Sequence, residues 1–139
     1  DSQFKAPFNW YNVHYLYTHV VGTSGGNTDD MKESLNKMEN GILVLGPFQG
    51  KPACIEIPVG KGVCGTAVAE DAVQLVYDVH QFPGHIACDC ASNSEIVVPI
   101  FKNNEIYGVL DLDSPYFSRF TEEDQAGLEA LVRILEANL

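Results

Sequence analysis

The chain has 139 residues, 45% hydrophobic and 19% charged, a length and balance that suit one domain with a sizeable core. Nineteen acidic against eight basic residues give a net charge of −11, which excludes nucleic acid and anionic membrane as main partners, since both need a basic footprint. No apolar run approaches the ~20 residues of a membrane span, and the four cysteines are too few and too uneven for a secreted disulfide scaffold.

These features point to a cytoplasmic protein. No signal peptide precedes Asp1, and the absence of an initial Met marks an expected fragment or processed form.

The first segment, Phe8 to Val21 (FNWYNVHYLYTHVV), is rich in aromatic and β-branched residues and predicts a strand. Gly22 to Asn40 is polar, with a Gly-Gly and an Asp-Asp. It reads as a long connection holding a short helical turn at 30–38, and residues 19–40 as a mobile insertion. Ile42 to Leu45 predicts a second strand, paired through the Gly46-Pro47 turn with 53–58. Gly60, Gly62 and Gly65 frame Val63-Cys64, and 66–71 predicts a short helix.

Val73 to Tyr77 is another short strand. His80 to Ser94, with Pro83-Gly84 and no sustained period, predicts a loop. Glu95–Phe101 and Glu105–Leu112 predict a hairpin across Lys102-Asn103-Asn104, because asparagine tolerates positive φ. Thr121 and Asp124 form a capping-box signature, and Leu128, Leu131, Val132, Leu135 and Leu139 recur on one helical face. The expected fold class is therefore α+β, one domain over 1–139, with a five- or six-stranded mostly antiparallel sheet and the C-terminal helix packed on one face.

Few chemical motifs are complete. His85, Cys88 and Cys90 are close, but H-x2-C-x-C lacks the second pair a tetrahedral zinc site requires, so no metal is expected. Phosphate-binding, dinucleotide-binding and GxSxG motifs do not occur, and no cofactor is expected. Asp111 and Asp113 are spaced to project from one face of a strand end. Like charges so close resist joint ionisation, and one of the two would then hold a proton near neutrality. Glu95 opens the neighbouring strand, where it can join them as a third acid. Among the thiols, Cys88 lies in a Gly- and His-containing loop, while Cys54 and Cys64 flank a glycine-rich turn. A nucleophilic thiol with a resolving partner is the minimal kit for thiol-based reduction, and a buried inert cysteine is the bland alternative.

Five stretches carry a family resemblance: LVLGPFQGKP (43–52), GKGVCGTA (60–67), DVHQFPGHIACDCASNSEIVVPI (78–100), GVLDLDS (108–114) and FTEEDQAGL (120–128). Together they resemble the free methionine-R-sulfoxide reductases, which are built on the GAF domain. Asn9-Trp10 is similar to that family's strand entry. The resemblance implies a GAF-like α+β fold and thiol-dependent reduction of free methionine-R-sulfoxide to methionine, with no cofactor. It assigns Cys88 as nucleophile, Cys54 as main resolving thiol and Cys64 as a third cysteine, a candidate for recycling. It assigns Glu95, Asp111 and Asp113 to the acidic cluster that holds substrate and activates the sulfoxide, and Trp10 to the wall near the substrate methyl group. Either His14 or Tyr15 takes the place of a family tyrosine lining the pocket. The resemblance further implies a thioredoxin-like reductant and a homodimer.

This sequence departs from the family pattern in three ways. Only eight residues precede Asn9, where the family carries a helical segment, so that segment is expected to be missing. The family's Trp-x-Gly-Phe-Tyr run is replaced by Trp10-Tyr11-Asn12-Val13-His14-Tyr15, with the 19–40 insertion just after it. Cys90 is additional, a bystander too near Cys88 for an easy disulfide. The competing expectation is a non-catalytic GAF sensor of a small molecule or of redox state. Asn36-Lys37 matches the start of the cyclic-nucleotide GAF motif, but the Phe-x3-Asp-Glu part does not follow at suitable spacing.

Overall fold

The structure, a computed structural model, describes residues 13–14, 41–46, 54–87 and 90–139. Among these, six strands and two α-helices occur in the order β1 (Val13–His14), β2 (Ile42–Val44), β3 (Glu56–Pro58), α1 (Gly62–Glu70), β4 (Gln74–Val76), β5 (Ser94–Lys102), β6 (Glu105–Ser114) and α2 (Glu122–Glu136). A 3₁₀ turn, Val79–Gln81, follows β4. The proposed turn at 30–38, the 19–40 insertion and most of the first predicted strand lie outside the described residues.

The strands pair antiparallel as a four-stranded sheet, β1-β6-β5-β4, with β2 and β3 as a separate hairpin. The central β5–β6 hairpin is the longest pairing. Its turn residues Asn103 and Asn104 sit at φ 55° and 64°, the left-handed pair that joins two strands without spoiling their twist. Alternation along β5 and β6 then divides the core. Ile96, Val98, Ile100, Leu110 and Leu112 face one way, into a cluster with Phe120, Leu128 and Val132 of α2 and its approach. Val97 and Val109 face the other way, into a cluster with Leu43, Ile57, Val63, Cys64, Ala67, Val76 and Val79.

Helix α2 follows its sequence signature closely. Asp124 N–H donates to Thr121 Oγ1 (3.3 Å), and Thr121 N–H donates to Asp124 Oδ2 (2.9 Å), closing the capping box. Helix α1 departs more from expectation: it runs from Gly62 to Glu70, four residues earlier than predicted. The reason is packing. Gly60, Gly62 and Gly65 read as turn signals, yet a Cβ at Gly65 would lie 2.4 Å from the Pro58 carbonyl oxygen. That glycine serves close approach of the helix to β3 rather than a turn. Gly62 has φ +61° and lies against Ile86, so the loop after β4 packs on the first turn of α1. No helix among the described residues is long and apolar enough to cross a membrane.

Candidate active site

The second core cluster is apolar except where β5 begins and β6 ends. There the face that carries Val97 and Val109 also carries Glu95, Asp111 and Asp113. Register sets the arrangement: Glu95 pairs with Asp113, Val97 with Asp111, and Val76 of β4 with Glu95. Two acids thus stand directly opposite, and the third is diagonal to Glu95, within reach on a pleated face. All three are buried; Asp111 is 2% exposed and Glu95 6%. His14 of β1 occupies the register position opposite Asp111.

Helix α1 covers this acidic end and lowers Cys64 onto it. The Cys64 thiol is 3% exposed. It donates to Asp111 Oδ2 at 3.2 Å and lies 3.9 Å from Glu95 Oε1. Burial pushes the Cys64 thiol well above its ordinary range, and the negative fields of Asp111 and Glu95 push it further. It is therefore a protonated donor in the folded chain.

Glu95 and Asp111 are likewise pushed well above the ordinary carboxylate range, first by burial and then by the charge of Asp113. Carboxylate oxygens of Glu95 and Asp111 lie within 4.8 Å of each other, and two buried carboxyl groups so close resist joint ionisation, so the pair retains a proton. The end of the sheet therefore offers a carboxyl that carries a proton beside a carboxylate that does not. That combination can donate a proton to an oxygen and anchor a cation at the same time.

The connection between β4 and β5 is pinned beside this acidic end of the sheet at both ends. Val79 N–H donates to the Asn93 carbonyl (3.0 Å), and Asn93 N–H to the Ser114 carbonyl (2.8 Å). Asn93 Oδ1 lies 2.9 Å from His80 Nε2, and the Asn93 amide nitrogen donates to the Pro115 carbonyl (2.8 Å). His80 and His85 meet edge to face at 6.4 Å between ring centroids. His85 is held below the usual imidazole range, mainly by burial and next by His80, while Asp113 acts in the opposite sense.

Cys54 is half-buried against the second core cluster and is disulfide-bonded. Cys64 and Cys90 are both free thiols, Cys64 buried and Cys90 exposed, so neither is its partner. Cys88, Trp10 and Tyr15 lie outside the described residues.

Sequence reading placed the three acids on neighbouring strands but did not foresee Cys64 as their hydrogen-bond donor. Its position follows from Gly65, whose missing side chain lets α1 approach β3 closely, a role that glycine spacing in the sequence does not reveal. For a metal, the nearest donor set among the described residues is Cys64, Glu95 and Asp111, whose ligand atoms lie within 4.8 Å of one another. These groups already exchange hydrogen bonds, and a cation would have to displace their protons.

Comparison with known proteins supplies the family. The GAF domain profile matches residues 13–139. A free methionine-R-sulfoxide reductase of Escherichia coli is 65% identical over 99 residues, covering 71% of this chain and 60% of the relative. A Neisseria meningitidis free methionine-R-sulfoxide reductase, solved with its substrate, superposes with a TM-score of 0.74 at 41% identity, covering 94% of this chain and 67% of that one. The reduced form of the Staphylococcus aureus enzyme is 63% identical, with a TM-score of 0.68, over 70% of this chain and 63% of that one. The chain thus spans about three fifths of the length of the curated E. coli relative. On the profile match, the register and the acidic end of the sheet together, the chain belongs to the GAF-domain family, in the group that includes the free methionine-R-sulfoxide reductases.

Proposed function

We propose that this chain reduces free methionine-R-sulfoxide to methionine, in the reducing setting of the cytoplasm. The observation that carries the reading is the buried Glu95–Asp111 pair, with carboxylate oxygens within 4.8 Å of each other, and Asp113 beside it. A sulfoxide oxygen leaves poorly until it is protonated, and a neutral carboxyl at the pocket floor supplies that proton. The substrate's ammonium group needs an anion, which the remaining carboxylates provide. A chain of net charge −11 with three converging acids suits a small molecule bearing a cationic amine, and disfavours a phosphate-bearing ligand of a sensor module.

The thiol chemistry is the one that the family resemblance implies for these cysteines. Cys88 attacks the sulfoxide sulfur, and the protonated oxygen leaves as water when the S–O bond breaks. Water then attacks the Cys88 sulfur, the bond between Cys88 and the substrate sulfur breaks, methionine leaves, and Cys88 is left as a sulfenic acid. The Cys54 thiol then attacks the Cys88 sulfur, water departs, and a disulfide joins the two. A dithiol protein of the thioredoxin type returns both thiols and takes the two oxidising equivalents. The disulfide at Cys54 supports the resolving role. The recycling role considered for Cys64 has less support, because that thiol is buried and held protonated. Trp10 and either His14 or Tyr15 are the proposed pocket wall, and a homodimer is the proposed assembly.

The test is turnover. With thioredoxin, its reductase and NADPH, the wild-type chain should consume many equivalents of free sulfoxide, and Cys88→Ser should consume none. A sensor would oxidise once and stop. Wild-type turnover retained in Cys88→Ser would reassign the nucleophile.

A further inference from the structure

Cys64 is the one buried thiol among the described residues, and the reduction steps above leave it without a task. We infer that Cys64 is a positioning residue: its S–H donates to Asp111 and holds the Glu95–Asp111 pair in the arrangement where one carboxyl keeps the proton and the other stays ionised for the substrate ammonium. The inference rests on the proposed reduction of the free sulfoxide, but its physical content does not depend on turnover.

Three observations carry it. The first is geometry: Sγ is 3.2 Å from Asp111 Oδ2 and 3.9 Å from Glu95 Oε1, so one donor addresses both acids. The second is enclosure. Cys64, Glu95 and Asp111 are all buried, where a hydrogen bond to a charged group is worth more than in water. The third is how firmly the helix is seated. Gly65, the next residue, packs so closely on Pro58 that no side chain fits, which fixes the height of Cys64 above the sheet.

A resolving thiol needs the opposite properties, namely access and a readily formed thiolate. An apolar residue here would fill the space but leave Asp111 without this donor. Among the described residues, the other charged group acting on the pair is Asp113 on β6, which also acts on His85 of the loop after β4. Neither comes from α1. Cys64 is the only donor the described part of that helix contributes to the pair.

The test compares Cys64→Ser, which keeps a hydroxyl donor, with Cys64→Ala, which does not, using dithiothreitol as reductant so that protein recycling is bypassed. Cys64→Ala should raise KM for free methionine-R-sulfoxide roughly tenfold, the cost of one hydrogen bond to a charged group, and shift the pH–rate profile upward. Cys64→Ser should stay within about threefold of wild type, because a hydroxyl replaces the donor. A purely redox role predicts that serine and alanine behave alike, and equal behaviour would overturn the inference.

The second readout needs no activity. Carbon-13 NMR of the Glu95 and Asp111 carboxyl groups in the reduced chain should show titration midpoints moved upward in Cys64→Ala and restored in Cys64→Ser. Coincident midpoints in all three proteins would sink the positioning role even if the chain reduced no sulfoxide. Inactive wild-type protein with the expected NMR pattern would instead count against the proposed function alone.

Discussion

At the scale of single residues, the site works by placing ionisable groups where their usual charge is costly. Glu95 and Asp111 are displaced upward first by desolvation and then by Asp113, so charging them opposes folding. A carboxyl with its folded value raised gives its full contribution to stability below the ordinary carboxylate range, and that contribution is lost as pH rises through the raised value. The reduced protein should therefore lose stability as pH climbs from the acid side towards and past neutrality. Glu95→Gln should flatten this slope and stabilise the chain by about 1–2 kcal/mol at neutral pH, measured by denaturant unfolding at several pH values. The same substitution removes a member of the proton-retaining pair and should lower kcat/KM for the free sulfoxide by roughly 100-fold or more. A variant both less stable and fully active would contradict the assignment of strain and function to one group.

At the scale of elements, two positions separate support of the site from support of the fold. Gly65→Ala would set a methyl 2.4 Å from a backbone oxygen, so α1 must lift from β3. The expected cost is about 1–3 kcal/mol, and because α1 carries Cys64, KM should rise with it. Thr121→Ala should cost a similar ~1 kcal/mol through loss of the α2 cap yet leave kcat and KM unchanged, since α2 packs on the opposite face of the sheet from the acids. Steady-state kinetics beside thermal melts distinguishes the two.

The elements also show what was legible in the sequence. The capping box at Thr121, the Asn103-Asn104 turn and the spacing of Asp111 and Asp113 are local signals, and each appears in the structure where its chemistry requires. The convergence of Glu95 with both aspartates depends on strand register, which a hairpin turn fixes only approximately from sequence. The extent of α1 and the hydrogen bond from Cys64 were not legible. Gly65 serves tertiary close approach while Gly62 serves a left-handed backbone, and glycine spacing alone does not distinguish the two.

At the scale of the molecule, a single sheet separates two jobs. One face, packed on α2, is an apolar core anchored by Leu128, Val132 and Phe120. The other is apolar along most of its length and acidic at one end. Apolar walls deepen the effect of each charge at that end. Under the proposed function, recognition needs both an ammonium group and a sulfoxide oxygen, and a methionine sulfoxide inside a peptide has no free ammonium to offer. The most direct measurement is a side-by-side rate of consumption of free methionine-R-sulfoxide, free methionine-S-sulfoxide and a peptide-bound methionine sulfoxide. The account predicts sustained turnover of the free R epimer alone, and comparable reduction of the peptide-bound form, or no turnover of the free R epimer, would contradict it.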